Sequence, residues 1–245
     1  HCGLTMQQPY AVPVDPLLLV LIVFGAVCAF CWIASLITKD TSWVDRIWSV
    51  VPVVYVWIFA ISALVDGKDA GRLLLMAVLV TLWGARLTFN FARKGGYTGM
   101  EDYRWAILRG RMTPWQFQVF NLLFIVLYQN ALLVLITLPA LTALEHPAPF
   151  GPLDGVLAML FLAALVGETV ADQQQWNFHR WKAAEVAAGR EPSPRFLQAG
   201  LWRVSRHPNF FFEQAQWWLF FLMGAAAAGT VLLWTVAGAA LLTVL

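Results

Sequence analysis

The chain has 245 residues, of which 60% are hydrophobic and only 12% are charged, and its mean hydropathy is +0.67. Soluble domains carry about 25% charged residues, so this composition excludes an ordinary water-exposed surface, and it excludes a disordered chain as well. A net charge of +2 is too small for a nucleic-acid-binding face, and the three cysteines, with no histidine near Cys28 and Cys31, suit neither a disulfide framework nor a metal site.

The sequence therefore predicts an all-α integral membrane protein, whose spans appear as runs of about 20 apolar residues, the length that crosses a hydrocarbon core as a helix. In chain order the predicted spans are Pro16–Thr38, Ile47–Val65, Leu73–Ala92, Phe117–Leu141, Leu153–Val170, Phe210–Met223 and Thr230–Leu245. We expect about seven transmembrane helices in a single domain covering residues 1–245, or six if the last two runs form one broken unit.

Lysine and arginine concentrate in two connecting segments, Lys94–Trp115 and Gln173–His207, whereas Thr142–Pro152 contains neither. Because basic loops stay in the cytoplasm, seven spans place both basic segments there and the N-terminus outside. Tryptophans near the predicted span ends are expected to form a belt at the membrane interface. They are Trp43, Trp48, Trp115, Trp202, Trp217 and Trp218.

Polar side chains recur at helical spacing near the cytoplasmic ends of three predicted spans. An ionised group inside an apolar span costs about 2.5–3.5 kcal/mol on insertion scales, so each is a candidate for function. Grouped by helix face, these residues are Arg86, Asn90 and Arg93; Glu168, Asp172 and Trp176; and Asn209 and Glu213. Three alternatives stay open: Arg86 extends to the lipid headgroups, Glu168 lies at the interface, and Tyr103–Arg111 is a lipid-facing basic loop.

The most specific local pattern is Gly200–Glu213, in which Arg203, Arg206 and His207 precede a proline and an apolar run. Proline suits the first turn of a helix, whose free N–H groups and positive dipole end attract an anion. Arginine binds phosphate bidentately, and Asn209 and the final glutamate then enter the membrane within two turns. This predicts a cytoplasm-facing site for a dinucleotide or nucleoside cofactor. The chain lacks a Gly-x-Gly-x-x-Gly pattern and strand–helix alternation, which excludes a Rossmann site.

The segment Ser205–Glu213 (Ser-Arg-His-Pro-Asn-Phe-Phe-Phe-Glu) resembles the C-terminal signature of the steroid 5-alpha-reductase superfamily, and most closely its bacterial membrane-protein branch. Four further marks of that branch occur in order as Trp43–Trp48, Leu82–Leu87, Glu101–Trp105 and Glu168–Asp172. The resemblance implies a seven-helix membrane fold that holds NADPH at its cytoplasmic side. It also implies reduction of a conjugated carbon–carbon double bond in a lipid or steroid-like substrate, and a bacterial inner membrane.

Site residues follow from the resemblance at the positions that match. Asn209 and Glu213 match cofactor contacts, Arg86 matches an arginine that contacts the nucleotide, and Asp172 falls at or near a polar cofactor contact. Phe212 replaces the small glycine usual before the glutamate, which alters close packing there. Charge assigns Arg203, Arg206 and His207 to the phosphates, and helical spacing adds Asn90 and Trp176. The predicted cofactor-binding residues lie in the third span and in the signature at 168–218. They are Arg86, Asn90, Asp172, Trp176, Arg203, Arg206, His207, Asn209 and Glu213.

The catalytic donor is the point at which the chain departs from the resemblance. Steroid reductases polarise the enone carbonyl with a glutamate in helix two and a tyrosine in helix three. The second span here has no glutamate, and Trp83 occupies the tyrosine-like position. Because negative charge develops on the substrate oxygen, a donor is required. We predict Tyr55, Trp83 or Tyr103 in this role, with Trp48 and a protonated Asp45 also open.

Two other functions compete with the reductase. One is a lipid methyltransferase that uses S-adenosylmethionine and is similar to the isoprenylcysteine carboxyl methyltransferases, which share an Arg-His-Pro motif followed by a glutamate. The other is a non-enzymatic lipid-binding scaffold or transporter. The asparagine after the proline and the Glu101–Arg104 segment favour the reductase, and a methyltransferase cofactor has no phosphates for the arginines. The expected partners are the bilayer and a lipid substrate, with no nucleic acid, no metal and a monomeric state.

Overall fold

The structure is a computed structural model that describes residues 14–99, 101 and 103–244, and within these residues all regular secondary structure is helical. The helices are α1 (Pro16–Thr38), α2 (Trp43–Ile47), α3 (Val51–Val65), α4 (Gly71–Arg93), α5 (Tyr103–Arg111), α6 (Pro114–Phe120), α7 (Gln129–Thr137), α8 (Pro139–Glu145), α9 (Pro152–Ala187), α10 (Pro208–Ala228) and α11 (Ala237–Val244). A π-helical segment, Asn121–Tyr128, joins α6 to α7, and 3-10 turns at Gly200–Arg203 and Trp234–Val236 precede α10 and α11.

Helix ends are defined by capping residues in the sequence. Asp15 accepts a hydrogen bond from the backbone N–H of Leu17 at 2.9 Å, and a proline follows in the first turn of α1. At the other end of α1, Lys39 adopts the left-handed conformation at φ 57°. Thr113 and Gln116 form a capping box at the start of α6.

Four helical stretches are long and apolar enough to cross a membrane: α1, α4, Pro114–Glu145 and α9. The third combines α6, the π-helical segment, α7 and α8 in one run. Val51–Val65 and Trp234–Val244 are shorter apolar stretches. The described part of the chain is therefore an all-helical membrane protein with four candidate spans, and α1 and α4 closely match the first and third predicted spans.

Helix α9 is much longer than the fifth predicted span, which ends at Val170. The helix continues to Ala187, roughly 25 Å beyond that point at 1.5 Å per residue. The added segment contains neither proline nor glycine until Gly189, which has a positive φ of 73°. Good helix formers such as glutamine, lysine, alanine and glutamate fill it, so helix propensity carries the helix past the apolar run.

The site is built where α4, α9 and α10 pack together. Helices α4 and α9 run parallel, because Arg72 pairs with Asp154 near their first turns and Arg86 pairs with Asp172 further along. Helix α10 runs antiparallel to α9, because its first turn places Asn209 against Asp172 and a later residue, Gln216, bonds one turn back on α9. Both basic segments lie at the end of the bundle where α4 stops.

Large aromatic side chains fill the core between these helices, and the fully buried ones include Trp83, Trp217, Tyr55, Phe59, Phe161 and Phe220. The prediction that Trp217 belongs to an interfacial belt is wrong, because only 2% of it is exposed. It lies one turn further into α10 than Glu213, on the side that faces α4. Trp115, by contrast, is 68% exposed, as an interfacial tryptophan would be.

Candidate functional site

Arg86 lies among three carboxylates, and these four side chains are named here the acidic centre. Its Nη2 is 2.6 Å from Oε1 of Glu168 and 3.5 Å from Oε2 of Glu213, and its Nη1 is 2.6 Å from Oδ2 of Asp172. The four side chains come from α4, α9 and α10 and are at most 14% exposed. Because one guanidinium faces three acids, the contact set holds more negative than positive charge when the acids are ionised.

Amide side chains hold the carboxylates on α9. Asn90 donates to Oδ2 of Asp172 at 2.9 Å, and Asn209 donates to Oδ1 of the same residue at 3.3 Å. Gln216 donates to Oε2 of Glu168 at 2.6 Å. Each of these acids therefore accepts from an amide as well as pairing with arginine, which stabilises a buried charge.

Two indoles hold the carboxylate of α10. The Trp83 N–H lies 3.0 Å and 2.9 Å from the two oxygens of Glu213, and the Trp217 N–H donates to Oε1 at 3.1 Å. The two rings meet edge to face with centroids 4.9 Å apart. Trp83 therefore connects the helix that carries Arg86 to the helix that carries Glu213.

Three polar atoms at the acidic centre are buried without a hydrogen-bond partner among the described residues: Nε and Nη2 of Arg86, both donors, and Oε1 of Gln216, an acceptor. Nη2 still forms an ion pair with Glu168 at 2.6 Å, which leaves Nε as the donor and Oε1 as the acceptor that the site does not engage. Both side chains contact Glu168, so the two atoms belong to one neighbourhood. A buried polar atom without a partner is unfavourable by about 1–3 kcal/mol, so this donor and acceptor fit a polar group that the chain itself does not supply.

Helix α10 approaches α9 closely at Gly167, the residue before Glu168. A Cβ built on Gly167 would lie 2.5 Å from Cζ of Phe212, which precedes Glu213. The large Phe212 ring thus occupies the space that Gly167 leaves open. The sequence predicts altered packing at Phe212, and Gly167 on the facing helix α9 makes room for its ring.

Arg93 extends the polar face of α4 beyond the acidic centre. Its Nε donates to Oδ1 of Asn90 at 2.9 Å, and its Nη1 donates to Oε1 of Gln173 at 2.7 Å. Its guanidinium carbon lies 5.0 Å from the ring centroid of Trp176. Trp176 therefore contacts Arg93, which bonds to Asn90, the amide that donates to Asp172.

The basic residues before α10 lie next to this polar face at the surface. Arg203, Arg206 and His207 are all exposed. The 3-10 turn that contains the first of them is held on α9, because the N–H of Leu201 donates to Gln174 and the Trp202 indole donates to the carbonyl of Ala171, both at 3.0 Å. These three side chains are named here the basic turn.

The predicted catalytic donors do not meet at one point. Trp83 lies in the acidic centre, where its N–H is already donated to Glu213. Tyr55 is fully buried in α3, and its hydroxyl has no hydrogen-bond partner within the described chain. The side chain of Tyr103 lies outside the described residues. The catalytic role of each stays a prediction.

Gln216 and Trp217 are the site residues that the sequence prediction missed. Both follow Glu213 at the three- and four-residue spacing of one helix face, which is the signal that could have found them. Glu168 was recognised as a buried acid, but its pairing with Arg86 depends on the parallel packing of α4 and α9. The sequence pattern alone contains no measure of that packing.

The chain is similar to the uncharacterised protein C594.04c of Schizosaccharomyces pombe, with 38% identity over 222 residues. The similarity covers 84% of this chain, and the chain spans 63% of the length of that relative. Because the relative is a yeast protein, it gives no support to the expected bacterial branch or bacterial membrane. No solved structure matches the chain. The model of a protein family of unknown function, DUF1295, matches residues 31–245, and the chain belongs to that family.

Proposed function

We propose that the protein is a membrane reductase that uses NADPH to reduce a conjugated double bond in a lipid. The resemblance of Ser205–Glu213 to the steroid 5-alpha-reductase signature supports the reaction class. The observation that carries the proposal is the acidic centre, where residues that the resemblance marks converge from three helices beside an unpartnered donor, Nε of Arg86, and an unpartnered acceptor, Oε1 of Gln216.

The unpartnered atoms suit the carboxamide of a nicotinamide ring. A primary carboxamide offers a carbonyl oxygen for Nε of Arg86 and an N–H for Oε1 of Gln216. NADPH, when bound, would supply a hydride and leave its nicotinamide ring positively charged. Glu168, Asp172 and Glu213 would stabilise that developing charge, because they are preoriented by their amide and indole donors.

Phosphate groups belong elsewhere in this proposal. Three carboxylates repel a phosphate at the depth of Arg86, whose guanidinium they already engage. The basic turn offers exposed positive charge just outside, next to the start of α10. We therefore assign the phosphates to Arg203, Arg206 and His207 and the nicotinamide to the acidic centre. This refines the expectation that Arg86 contacts the nucleotide.

The membrane orientation is part of the proposal. Seven spans, with the N-terminus outside, place the acidic centre and the basic turn on the cytoplasmic side, where NADPH is available. For the donor to the substrate carbonyl we retain Tyr55, because its buried hydroxyl has no partner, whereas the Trp83 N–H would first have to leave Glu213.

S-adenosylmethionine is the second candidate cofactor, because its sulfonium is also cationic. Methyl transfer removes that positive charge, so the acidic centre would stabilise the reactant more than the transition state and oppose the chemical step. This cofactor also gives the basic turn no phosphate to bind. Both arguments favour the reductase.

Ligand titration of the purified protein in mild detergent tests the proposal. NADPH at about 100 times its dissociation constant should stabilise the fold by roughly 2.7 kcal/mol, seen as a rise in Tm, whereas S-adenosylmethionine should have no effect. Stabilisation by S-adenosylmethionine alone would replace the reductase with the methyltransferase. Absence of any shift would favour the non-enzymatic alternative.

Glu213→Gln should weaken NADP+ binding about tenfold or more and NADPH binding less, because the lost carboxylate faces the ring that is cationic only in NADP+. Isothermal titration measures both affinities. Glu191→Gln is the matched control, because Glu191 is an exposed glutamate paired with Arg195 away from the acidic centre. Equal affinities in Glu213→Gln and the wild type would remove this carboxylate from the cofactor site.

Arg206→Ala should weaken NADPH binding by about tenfold and NADH binding much less, since a guanidinium that meets the 2′-phosphate has no counterpart in NADH. The same titration measures both ligands. Arg195→Ala, at another exposed arginine on the same side of the bundle, should change neither affinity. Equal losses for NADPH and NADH would instead assign Arg206 to the pyrophosphate.

A further inference from the structure

A cavity lies between the end of α1 and the start of α6, away from the acidic centre. Its volume is about 430 Å³. The residues that matter for its chemistry are Ser35, Leu36, Lys39, Arg109, Phe117 and Gln118. Because Arg46 of the neighbouring α2 contacts the carbonyl of Gly96, just after α4, this cavity opens at the same end of the bundle as the acidic centre.

The described lining of the cavity has an excess of positive charge. Lys39 and Arg109 are its ionisable residues, and the lining residues that the structure describes include no acid. Arg109 is paired with Glu101 through two contacts of 3.1 Å and 2.6 Å, and Glu101 also accepts from the N–H and hydroxyl of Thr41. Lys39 is exposed and makes no ion pair or hydrogen bond with the described residues. Within the described part of the chain, the Lys39 ammonium is therefore the charge of this cavity that no acid neutralises.

Glu101 stays ionised near neutral pH beside Arg109. Burial raises the pKa of Glu101, but the hydrogen bonds from Arg109 and Thr41 lower it more, so the pKa lies below its usual value. Arg109 is also held over the ring of Phe117, with its guanidinium carbon 4.8 Å from the ring centroid. The wall of the cavity beside Lys39 is therefore preorganised.

A polar floor lies below the charged rim. Asn121, only 1% exposed, donates to the hydroxyl of Ser35 at 3.0 Å and lies 3.5 Å from Oε1 of Gln118. The side-chain oxygen of Asn121, Oδ1, is buried and has no hydrogen-bond partner within the described residues. Asn121 supports Ser35 and Gln118, which line the cavity, so the cavity presents a cation at its rim and a hydroxyl and an amide side chain at its base. This fits a ligand with both an anionic and a hydroxyl group.

Apolar surface continues from the cavity along α1. Leu36 lines the cavity and is 45% exposed, and Ile33 and Ile37 beside it are 54% and 76% exposed. These side chains lie on a helix apolar enough to span the membrane, so lipid covers them. A ligand in the cavity could therefore extend an acyl chain over this surface.

We propose that this cavity binds the head group of an anionic phospholipid, with its phosphate at Lys39 and a head-group hydroxyl at the polar floor. One acyl chain lies along the exposed face of α1. A free phosphate ester could contact Lys39 in the same way as the phospholipid head group. Leu36 and Phe117, however, contribute binding energy only to a ligand with an apolar tail. The proposal does not depend on the reductase function.

Thermal unfolding in a neutral detergent, with lipid added as mixed micelles, tests this site. Phosphatidylglycerol should raise Tm, whereas phosphatidylcholine, whose choline cancels the phosphate charge, should raise it much less. Glycerol 3-phosphate serves as the free phosphate and should have no effect at the same concentration. Equal shifts with both lipids, or an equal shift with glycerol 3-phosphate, would overturn the proposal.

Variants at Lys39 assign the effect to the cavity. Lys39→Asn removes the charge but tolerates the left-handed backbone at this position, so the fold is preserved. Native mass spectrometry should then show phosphatidylglycerol binding reduced about fivefold, and Lys39→Arg should retain it. Arg180→Gln removes an exposed cation at the same end of the bundle and should not reduce binding. Unchanged binding in Lys39→Asn would refute the site.

Discussion

Replacing Arg86 with methionine should lower the free energy of unfolding by about 3–5 kcal/mol, because the change leaves buried carboxylates without their cation. Methionine has a similar length and helix propensity, so the backbone of α4 should be retained. For a chain of this size the loss corresponds to a fall in Tm of roughly 6–20 °C. Thermal or denaturant unfolding in detergent measures it.

A further variant distinguishes the loss of charge pairing from the loss of side-chain packing. Adding Glu168→Gln and Asp172→Asn to Arg86→Met removes the repelling acids and should recover part of the lost stability. The amide donors of Asn90 and Gln216 would then face carboxamide oxygens, which also accept hydrogen bonds. A triple variant less stable than Arg86→Met would show that the acids stabilise the fold by other means.

Removing Arg72 should have a similar effect at the opposite end of α4. Arg72 forms a bidentate pair with Asp154, at 2.6 Å and 3.0 Å, and the Asp154 side chain is 1% exposed. Arg72→Met leaves that carboxylate buried and unpaired, which should lower the free energy of unfolding by about 3–5 kcal/mol. The same unfolding measurement applies.

The double variant Arg72→Met with Asp154→Leu should recover most of this loss, since an apolar pair can replace a buried ion pair. A residual loss of about 1 kcal/mol should remain, because Asp154 also accepts from the N–H of Gly151 at the start of α9. NADPH affinity should not change in either variant. A large change in that affinity would show that the far pair influences the cofactor site.

Much of the fold could be predicted from hydropathy, because the cost of burying charge in lipid makes long apolar runs conspicuous. Pro16–Thr38 coincides with α1, and Leu73–Ala92 differs from α4 by a few residues. The end of α9 could not be predicted in this way. Its last turns are polar, and hydropathy measures only where a helix leaves the apolar layer, whereas propensity and Gly189 decide where the helix ends.

The candidate site was predicted as three helix faces, since a spacing of four residues places side chains on one face whatever the tertiary fold. Which faces meet depends on packing between elements far apart in the chain, as with Arg86 and Asp172. The reassignment of Trp217 has the same cause. A tryptophan near a span end is predicted to be interfacial until a facing helix is seen to cover its ring, as Trp83 of α4 covers Trp217.

The ion pairs that join α4 to α9 at two levels, Arg72 with Asp154 and Arg86 with Glu168 and Asp172, also restrict how these helices can move. Arg86 follows Arg72 by the same number of positions as Glu168 follows Asp154, about four turns or roughly 21 Å along each parallel helix. Sliding one helix by a single turn, about 5.4 Å, would break the Arg72–Asp154 pair and leave Arg86 beside at most one of its two acids on α9, because Glu168 and Asp172 are one turn apart. Tilting the two helices together keeps all of these pairs. The polar extension of α9 therefore continues a helix that is fixed to α4 at two levels, so we expect a tilt of the extension to change the orientation of both helices at the acidic centre.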